Sequence, residues 1–142
     1  MADQLLTGTT LIEDKRGEFG KVWSCPGIAF RAIDGGLNSM DYGNAYVETT
    51  GDWLAAPVYL PNGAEVIGVV VYGVDTGEEW QLVRKQTSAV NVTTVMATAA
   101  FSTEDTSITS AIIDNSTYSY YLMCTSDLDD SDIIYGARIR YK

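Results

Sequence analysis

The last ten residues, Ile133-Ile134-Tyr135-Gly136-Ala137-Arg138-Ile139-Arg140-Tyr141-Lys142, decide the fold class. Ile133, Tyr135, Ala137, Ile139 and Tyr141 are apolar at every second position, while Arg138, Arg140 and Lys142 alternate with the later ones. A β-strand turns successive side chains to opposite faces, so a period of two predicts one buried face and one wet face. The run before it repeats the pattern, with Tyr118, Tyr120, Leu122 and Cys124 on one face and Ser119 and Thr125 on the other. Further back, Val66-Ile67-Gly68-Val69-Val70-Val71-Tyr72 is apolar on both faces. It is expected to be a central strand covered from both sides, in part by another subunit. Ala89 to Phe101, rich in Val, Thr and Ala without Gly or Pro, predicts one long strand with a bend or bulge. Shorter runs at Ile28 to Ala32, Ala45 to Thr49, Trp53 to Leu60, Trp80 to Leu82 and Ser107 to Ile113 complete the series.

Turn formers separate these runs: Asp34-Gly35-Gly36, Thr50-Gly51-Asp52, Pro61-Asn62-Gly63, Asp75-Thr76-Gly77 and Asp114-Asn115-Ser116. Gly and Asn accept positive φ, and Pro presets φ for a turn. About eight short strands with turns every 8–12 residues define an all-β fold, a two-sheet antiparallel β-sandwich of jelly-roll type. The sandwich is assigned to residues 25–142. Residues 1–24, charged and broken by Gly17 and Gly20, are assigned to an N-terminal arm or strand.

Composition narrows function. The chain of 142 residues carries 9 basic and 19 acidic side chains, a net charge of −10. Such a surface repels phosphate backbones and anionic lipid, so no nucleic acid partner and no membrane insertion are expected. No run approaches the roughly 18 apolar residues of a membrane span. The first residues lack a basic segment followed by an apolar one, which predicts a cytoplasmic or virion-assembled protein unless a signal has been removed. Cys25 and Cys124 are expected as free thiols, with a disulfide between them as the alternative. Histidine is absent, which removes histidine-activated nucleophiles and the usual zinc sets. The chain is therefore expected not to be an enzyme.

Three stretches carry a resemblance. They are Ala56-Pro57-Val58-Tyr59-Leu60-Pro61-Asn62-Gly63-Ala64, then Ile113-Asp114-Asn115-Ser116-Thr117-Tyr118-Ser119-Tyr120-Tyr121-Leu122, then Tyr135-Gly136-Ala137-Arg138-Ile139-Arg140-Tyr141. In this order they resemble small jelly-roll-like β-sandwich domains of bacterial extracellular proteins and of phage-like structural proteins. The resemblance covers roughly residues 27–142. It implies the sandwich fold and brings no catalytic residue.

Four clusters are candidates for function. Asp127, Asp129, Asp130 and Asp132 place four carboxylates in six residues between two strands, suited either to a solvated turn or to calcium, which takes clustered hard oxygens. Trp53, Trp80 and Tyr121 are candidates for stacking on sugar rings, whereas Tyr118 and Tyr120 are assigned to the core. Asp75, Glu78 and Glu79, and the pair Glu104 and Asp105, would be the carboxylates of a glycosidase, but they arise readily by chance among 19 acids. Arg138, Arg140 and Lys142 form the basic stripe, read either as charge that protects an edge strand or as an interface to an acidic neighbour. The leading expectation is a non-enzymatic structural protein that self-associates as a homo-oligomer, a coat, decoration or fibre subunit. The alternative is a carbohydrate-binding sandwich whose partner is a glycan, with calcium as a structural ion.

Overall fold

Ten strands form two antiparallel sheets in the computed structural model, which describes residues 20–33, 38–47, 52–74, 77–128 and 132–142. In chain order the strands are β1 (Lys21–Pro26), β2 (Arg31–Ala32), β3 (Asn38–Asp41), β4 (Asn44–Val47) and β5 (Asp52–Val58). They continue with β6 (Val66–Val74), β7 (Glu79–Gln86), β8 (Thr93–Ala100), β9 (Tyr118–Leu128) and β10 (Ile133–Tyr141). Most of the arm, the turn at Asp34-Gly35-Gly36 and parts of those at residues 50–52 and 75–77 lie outside the described residues. β1 starts at Lys21 and pairs with β10 along its whole length.

In the first sheet β10 is interior. β6 runs along one of its edges, and β1 and β4 share the other, with β3 beyond β4. The second sheet has the order β2-β5-β9-β7-β8, with β9 in the middle. Inward residues of both sheets meet in one core that includes Phe30, Leu54, Trp80, Leu82, Leu122, Ile134 and Ile139. Burying each of these aliphatic or Phe side chains contributes about 1.5–3 kcal/mol.

The alternation in β9 holds, with Tyr120, Leu122 and Cys124 buried. In β10 it changes phase. The ladder to β6 skips a residue between Ile134 and Gly136, so Tyr135 is the bulged residue and stands 47% exposed while Ile134 is buried. A bulge inserts one residue and turns the following side chains to the other face. This corrects the placement of Ile133 and Tyr135 with Ala137.

Residues 28–32 do not continue as a strand. They form a 3-10 turn at Gly27–Ala29 and then the short β2. Gly27 packs against backbone there: a Cβ would press on the Ile134 carbonyl and lie 2.9 Å from the Ala45 nitrogen. The expected long strand from Ala89 shortens to Thr93–Ala100, with a register shift at Met96, and residues 87–92 form the turn from β7. Asn38 to Val47 becomes a hairpin closed by Tyr42-Gly43, both at positive φ (52° and 81°), a backbone matched to the twist of two strands.

The segment from Ser102 to Ile113 is not a strand. It laces the open edges of the two sheets. Val69 and Asp105 exchange backbone hydrogen bonds (3.0 and 2.9 Å), Ser102 donates to the Val71 carbonyl (2.7 Å), and Thr109 donates to the Met96 carbonyl (2.8 Å). Asp105 adds its carboxylate, which accepts from the Thr98 and Ser107 amides (3.0 and 2.8 Å). The free edge of β6 is thus satisfied within the chain. The outward Val70, opposite Arg138 in register, is buried among its own neighbours.

Cys25 and Cys124 are free thiols that both turn toward the core. Burial pushes Cys124 well up and Cys25 to about 11, so both stay protonated near neutral pH. The thiolate is the reactive form, so these groups act as small core residues.

Candidate functional site

The outer face of the second sheet follows from the register. Tyr121 lies between the buried Tyr120 and Leu122 and therefore points outward. Opposite it stand Pro57 on β5 and Val83 on β7, and Val95 on β8 lies opposite Val83. The row Pro57–Tyr121–Val83–Val95 is an apolar band across four strands. Val83 is only 2% exposed, so the side chains around it shield it from outside, while Val95 is 43% exposed.

Rows with polar members flank the band. On one side are Arg31, Ala55, Met123, Gln81 and Thr98, opposite one another in that order from β2 to β8. On the other are Ser119, Lys85 and Thr93. Lys85 bends its ammonium to the carbonyls of Gln86 and Ala89 (3.1 and 2.6 Å), which stiffens the β7–β8 turn. Trp53 sits at the bulge between Asp52 and Leu54, next to the inward Leu54, and is partly buried.

Of the three aromatics expected to stack on sugars, Trp53 and Tyr121 are partly exposed on this side and share the face. Trp80 is not available. It is 0% exposed, and its indole N–H donates to the carbonyls of Ala100 and Thr103 (3.0 and 3.2 Å). A buried indole needs such acceptors, and here the edge-lacing segment provides them. Tyr120 is also core, and its hydroxyl accepts from the Asp114 amide (2.8 Å).

Beyond the strand ends this face runs into a cleft of about 410 Å³, lined by residues 57–59, Thr87, Asn115 and residues 118–120. A second hollow of about 390 Å³ adjoins it, lined by Thr87, Ser88, Ser116 and Thr117. Turn chemistry builds the walls. The Asp114 carboxylate accepts from the Ser116 hydroxyl and amide (2.5 and 3.1 Å), the Asx turn that the Asp-Asn-Ser triplet favours. Hydrogen bonds from Ser116 and Thr117 hold the Asp114 carboxyl below the usual carboxylate range. Asn115 donates its side-chain amide to the Leu60 carbonyl (2.9 Å) and its backbone N–H to Asn62 Oδ1 (2.8 Å). Thr87 donates its amide to the Thr117 carbonyl (2.9 Å). The Tyr118 ring carries the Arg84 guanidinium at 4.0 Å from its centroid. Tyr59 stands at the rim, 77% exposed.

This cleft was not foreseen. Its signal was present as an exposed aromatic, Tyr59, just past a strand end, and as two hydroxyl-rich turns. Only long-range pairing of β5, β7 and β9 brings them together.

The basic stripe is corrected as an edge guard, because β10 is interior. Arg140 pairs with Glu104 (2.6 Å) and Lys142 with Glu65 (3.7 Å), both on the surface, while Arg138 lies over the Tyr72 ring at 5.8 Å. Glu104 is thus an ion-pair partner. Of the carboxylates expected to take calcium, only the Asp132 side chain lies among the described residues. Asp132 is buried, the side chains of Asp127, Asp129 and Asp130 fall outside the description, and no described group of three or more His, Cys, Asp or Glu forms a metal cluster.

No protein-family model and no curated protein matches the sequence. Solved structures do. The chain is similar to the C-terminal carbohydrate-binding module CBM6 of LamC, a marine laminarinase from Zobellia galactanivorans. Identity is 15%, the TM-score is 0.50, and 84% of this chain and 99% of that one are covered. It is also similar to CBM86, a low affinity xylan binding module from Roseburia intestinalis, with 9% identity, a TM-score of 0.50 and 87% and 97% coverage. A third, CBM6cm-2 from Cellvibrio mixtus lichenase 5A in complex with cellotriose, is 18% identical with a TM-score of 0.44 and 83% and 95% coverage.

The first two likenesses, with the two antiparallel sheets, establish the jelly-roll sandwich. They also overturn the leading expectation of a self-associating coat, decoration or fibre subunit, because the two structures with a TM-score of 0.50 are carbohydrate-binding modules. The resemblance drawn from the sequence stands for the sandwich fold, and its phage-like branch has no support. The feature that had prompted a subunit interface, a strand apolar on both faces, is accounted for within the chain: Val70 is buried, and the side chains of Glu104 and Arg140 lie over Gly68.

Proposed function

We propose that this domain is a non-catalytic carbohydrate-binding module whose glycan lies on the outer face of the second sheet. The carrying observation is the apolar row Pro57–Tyr121–Val83–Val95 with hydrogen-bonding side chains on both sides. A pyranose ring offers apolar C–H faces and a rim of hydroxyls. The face offers the complement: the Tyr121 ring for stacking, and Gln81, Thr98, Arg31 and Ser119 for the hydroxyls. Trp53 extends the track along β5. The shared architecture with modules of laminarin- and xylan-directed proteins supports the choice of ligand class.

The test is affinity electrophoresis and calorimetry against laminarin, xylan and cello-oligosaccharides. Retardation or binding heat with at least one of them is expected, together with a change in tryptophan fluorescence. A protein that none of a broad panel of soluble glycans retards is not such a module. Calcium belongs to the same reading as a structural ion at residues 127–132, which contain the four aspartates.

A further inference from the structure

The two cysteines come from opposite sheets, and the ladders bring them to the same level of the core. In the first sheet Val71, Ala137 and Cys25 stand opposite one another on β6, β10 and β1, and all turn inward. In the second sheet Trp80, Cys124 and Leu54 do the same on β7, β9 and β5. Both ends of these rows are in step. At one end Ser102 donates its amide to the Val71 carbonyl (2.7 Å), and the carbonyl of the next residue, Thr103, accepts from the Trp80 indole (3.2 Å). At the other end β1 passes through Gly27–Ala29 into β2, where Ala32 pairs with Leu54. Cys25 therefore lies over the β5–β9 side of the second row, where Cys124 stands. We infer that Cys25 and Cys124, free thiols in this structure, are a redox pair that an external disulfide oxidises to an inter-sheet cross-link.

Electrostatics agrees with the register. Burial raises the Cys124 pKa first, and charge on Cys25 raises it further. Such an effect needs the two sulfurs near each other. No third cysteine competes, since the chain has two. Cys124 is fully buried, so it cannot reach another chain.

Reach decides whether the bond can close. Stacked sheets lie about 10 Å apart, and a disulfide joins Cα atoms at most about 7 Å apart. Cys25 sits just before the turn that carries the chain from the first sheet to the second, where β1 already leans toward its opposite number. Among the described residues β1 pairs with β10 alone, so it is an edge strand that can settle inward. Its neighbour in the row, Ala137, is small and does not prop the sheets apart.

The oxidant is a disulfide of the glutathione class. Cys25 is half-buried and is the thiol a reagent meets first. It loses its proton and attacks one sulfur of the oxidant, and one glutathione leaves as a thiol with that proton. Cys124 then loses its proton and attacks Cys25 Sγ in the mixed disulfide, and the second glutathione leaves in the same way. Two protein thiols give up two electrons and two protons, and one external disulfide becomes two thiols.

The experiment incubates the native protein with glutathione disulfide at mildly alkaline pH, denatures it, alkylates the remaining thiols and reads the intact mass. The expected product is a monomer lighter than the reduced chain by two hydrogens, with no alkylated thiol and no bound glutathione, and dithiothreitol restores the reduced mass. Cys124→Ala, checked for folding by circular dichroism, should stop at one glutathione on Cys25. The cross-link closes a loop of about 100 residues and so constrains the unfolded chain. The melting temperature of the native protein should rise by roughly 7–13 °C on oxidation.

A native protein that stops at one bound glutathione, with Cys124 still open to alkylation, shows that the sulfurs do not meet and overturns the pair. Retention of both thiols, under conditions that oxidise the same chain unfolded in urea, overturns it as well. A cross-linked protein that melts below the reduced one has closed only by distorting the sandwich, which overturns the alignment of the two rows.

Discussion

Replacing Trp80 with Phe separates packing from recognition at the one aromatic that moves from the ligand list to the core. The indole is fully buried, and its N–H bridges the carbonyls of Ala100 and Thr103. Trp80→Phe keeps a ring in place but removes the donor. The lost hydrogen bond and the less satisfied carbonyls cost about 1–3 kcal/mol. The smaller ring leaves a partial cavity worth roughly 1 kcal/mol more. The expected destabilisation is therefore about 2–4 kcal/mol. With an unfolding entropy of about 2.1 cal/mol/K per residue, a chain of 142 residues changes by about 0.3 kcal/mol per degree at the midpoint. The melting temperature should fall by roughly 7–13 °C. Scanning calorimetry measures this, and titration with whichever glycan the native protein binds should give the native affinity at a temperature where the variant is folded. A fall of less than about 3 °C, or a lost affinity in a protein that melts normally, would refute the assignment of Trp80 to the core.

Tyr121→Ala should do the reverse: glycan affinity drops by about tenfold or more, while the melting temperature moves by only a few degrees, since a cross-strand pair on a surface contributes about 0.2–1 kcal/mol. Gly27→Ala places a methyl group against the backbone of β10 and β4, so a loss of about 3 kcal/mol is expected in urea denaturation; a variant of native stability would show that the 3-10 turn can shift away. Cys25 has its thiol pKa raised to about 11 by burial, so its contribution is fully present below the unfolded thiol value near 9 and is lost as pH rises toward 11. The stability advantage of the native protein over Cys25→Ala should accordingly be constant from pH 6 to 8 and shrink above about pH 9, as followed by melting temperature across pH. If residues 127–132 hold calcium, chelation lowers the melting temperature and added calcium restores it; a temperature indifferent to both removes calcium from the account.

The lacing segment explains why a chain without an α-helix among its described residues closes its sandwich on one side. Edges of β6 and β8 would otherwise present unpaired backbone groups, a template for pairing with other chains. Ser102, Asp105 and Thr109 satisfy several of them from within. Surface ion pairs add little to this. Arg140–Glu104 is partly exposed, and such pairs are worth about 0–1 kcal/mol.

The sequence alone determined the all-β class, because period-two alternation and turn residues are local properties. Tyr120, Leu122 and Cys124 were legible as core, and Pro61-Asn62-Gly63 as a turn, with Gly63 at φ 84°. Local pattern fails where a ladder slips by one residue. The bulge at Tyr135 reverses the phase of β10, and the shift at Met96 lets Met96 and Ala97 both be buried. Tertiary structure alone decided which aromatics are available. Trp80 is buried because Ala100 and Thr103, twenty residues and more along the chain, supply its acceptors. The cleft also depended on it, since Tyr59, Thr87 and Asn115 are distant in sequence and meet only because β5, β9 and β7 pair side by side. Both depend on contacts between residues far apart in the chain, and alternation carries no information about those.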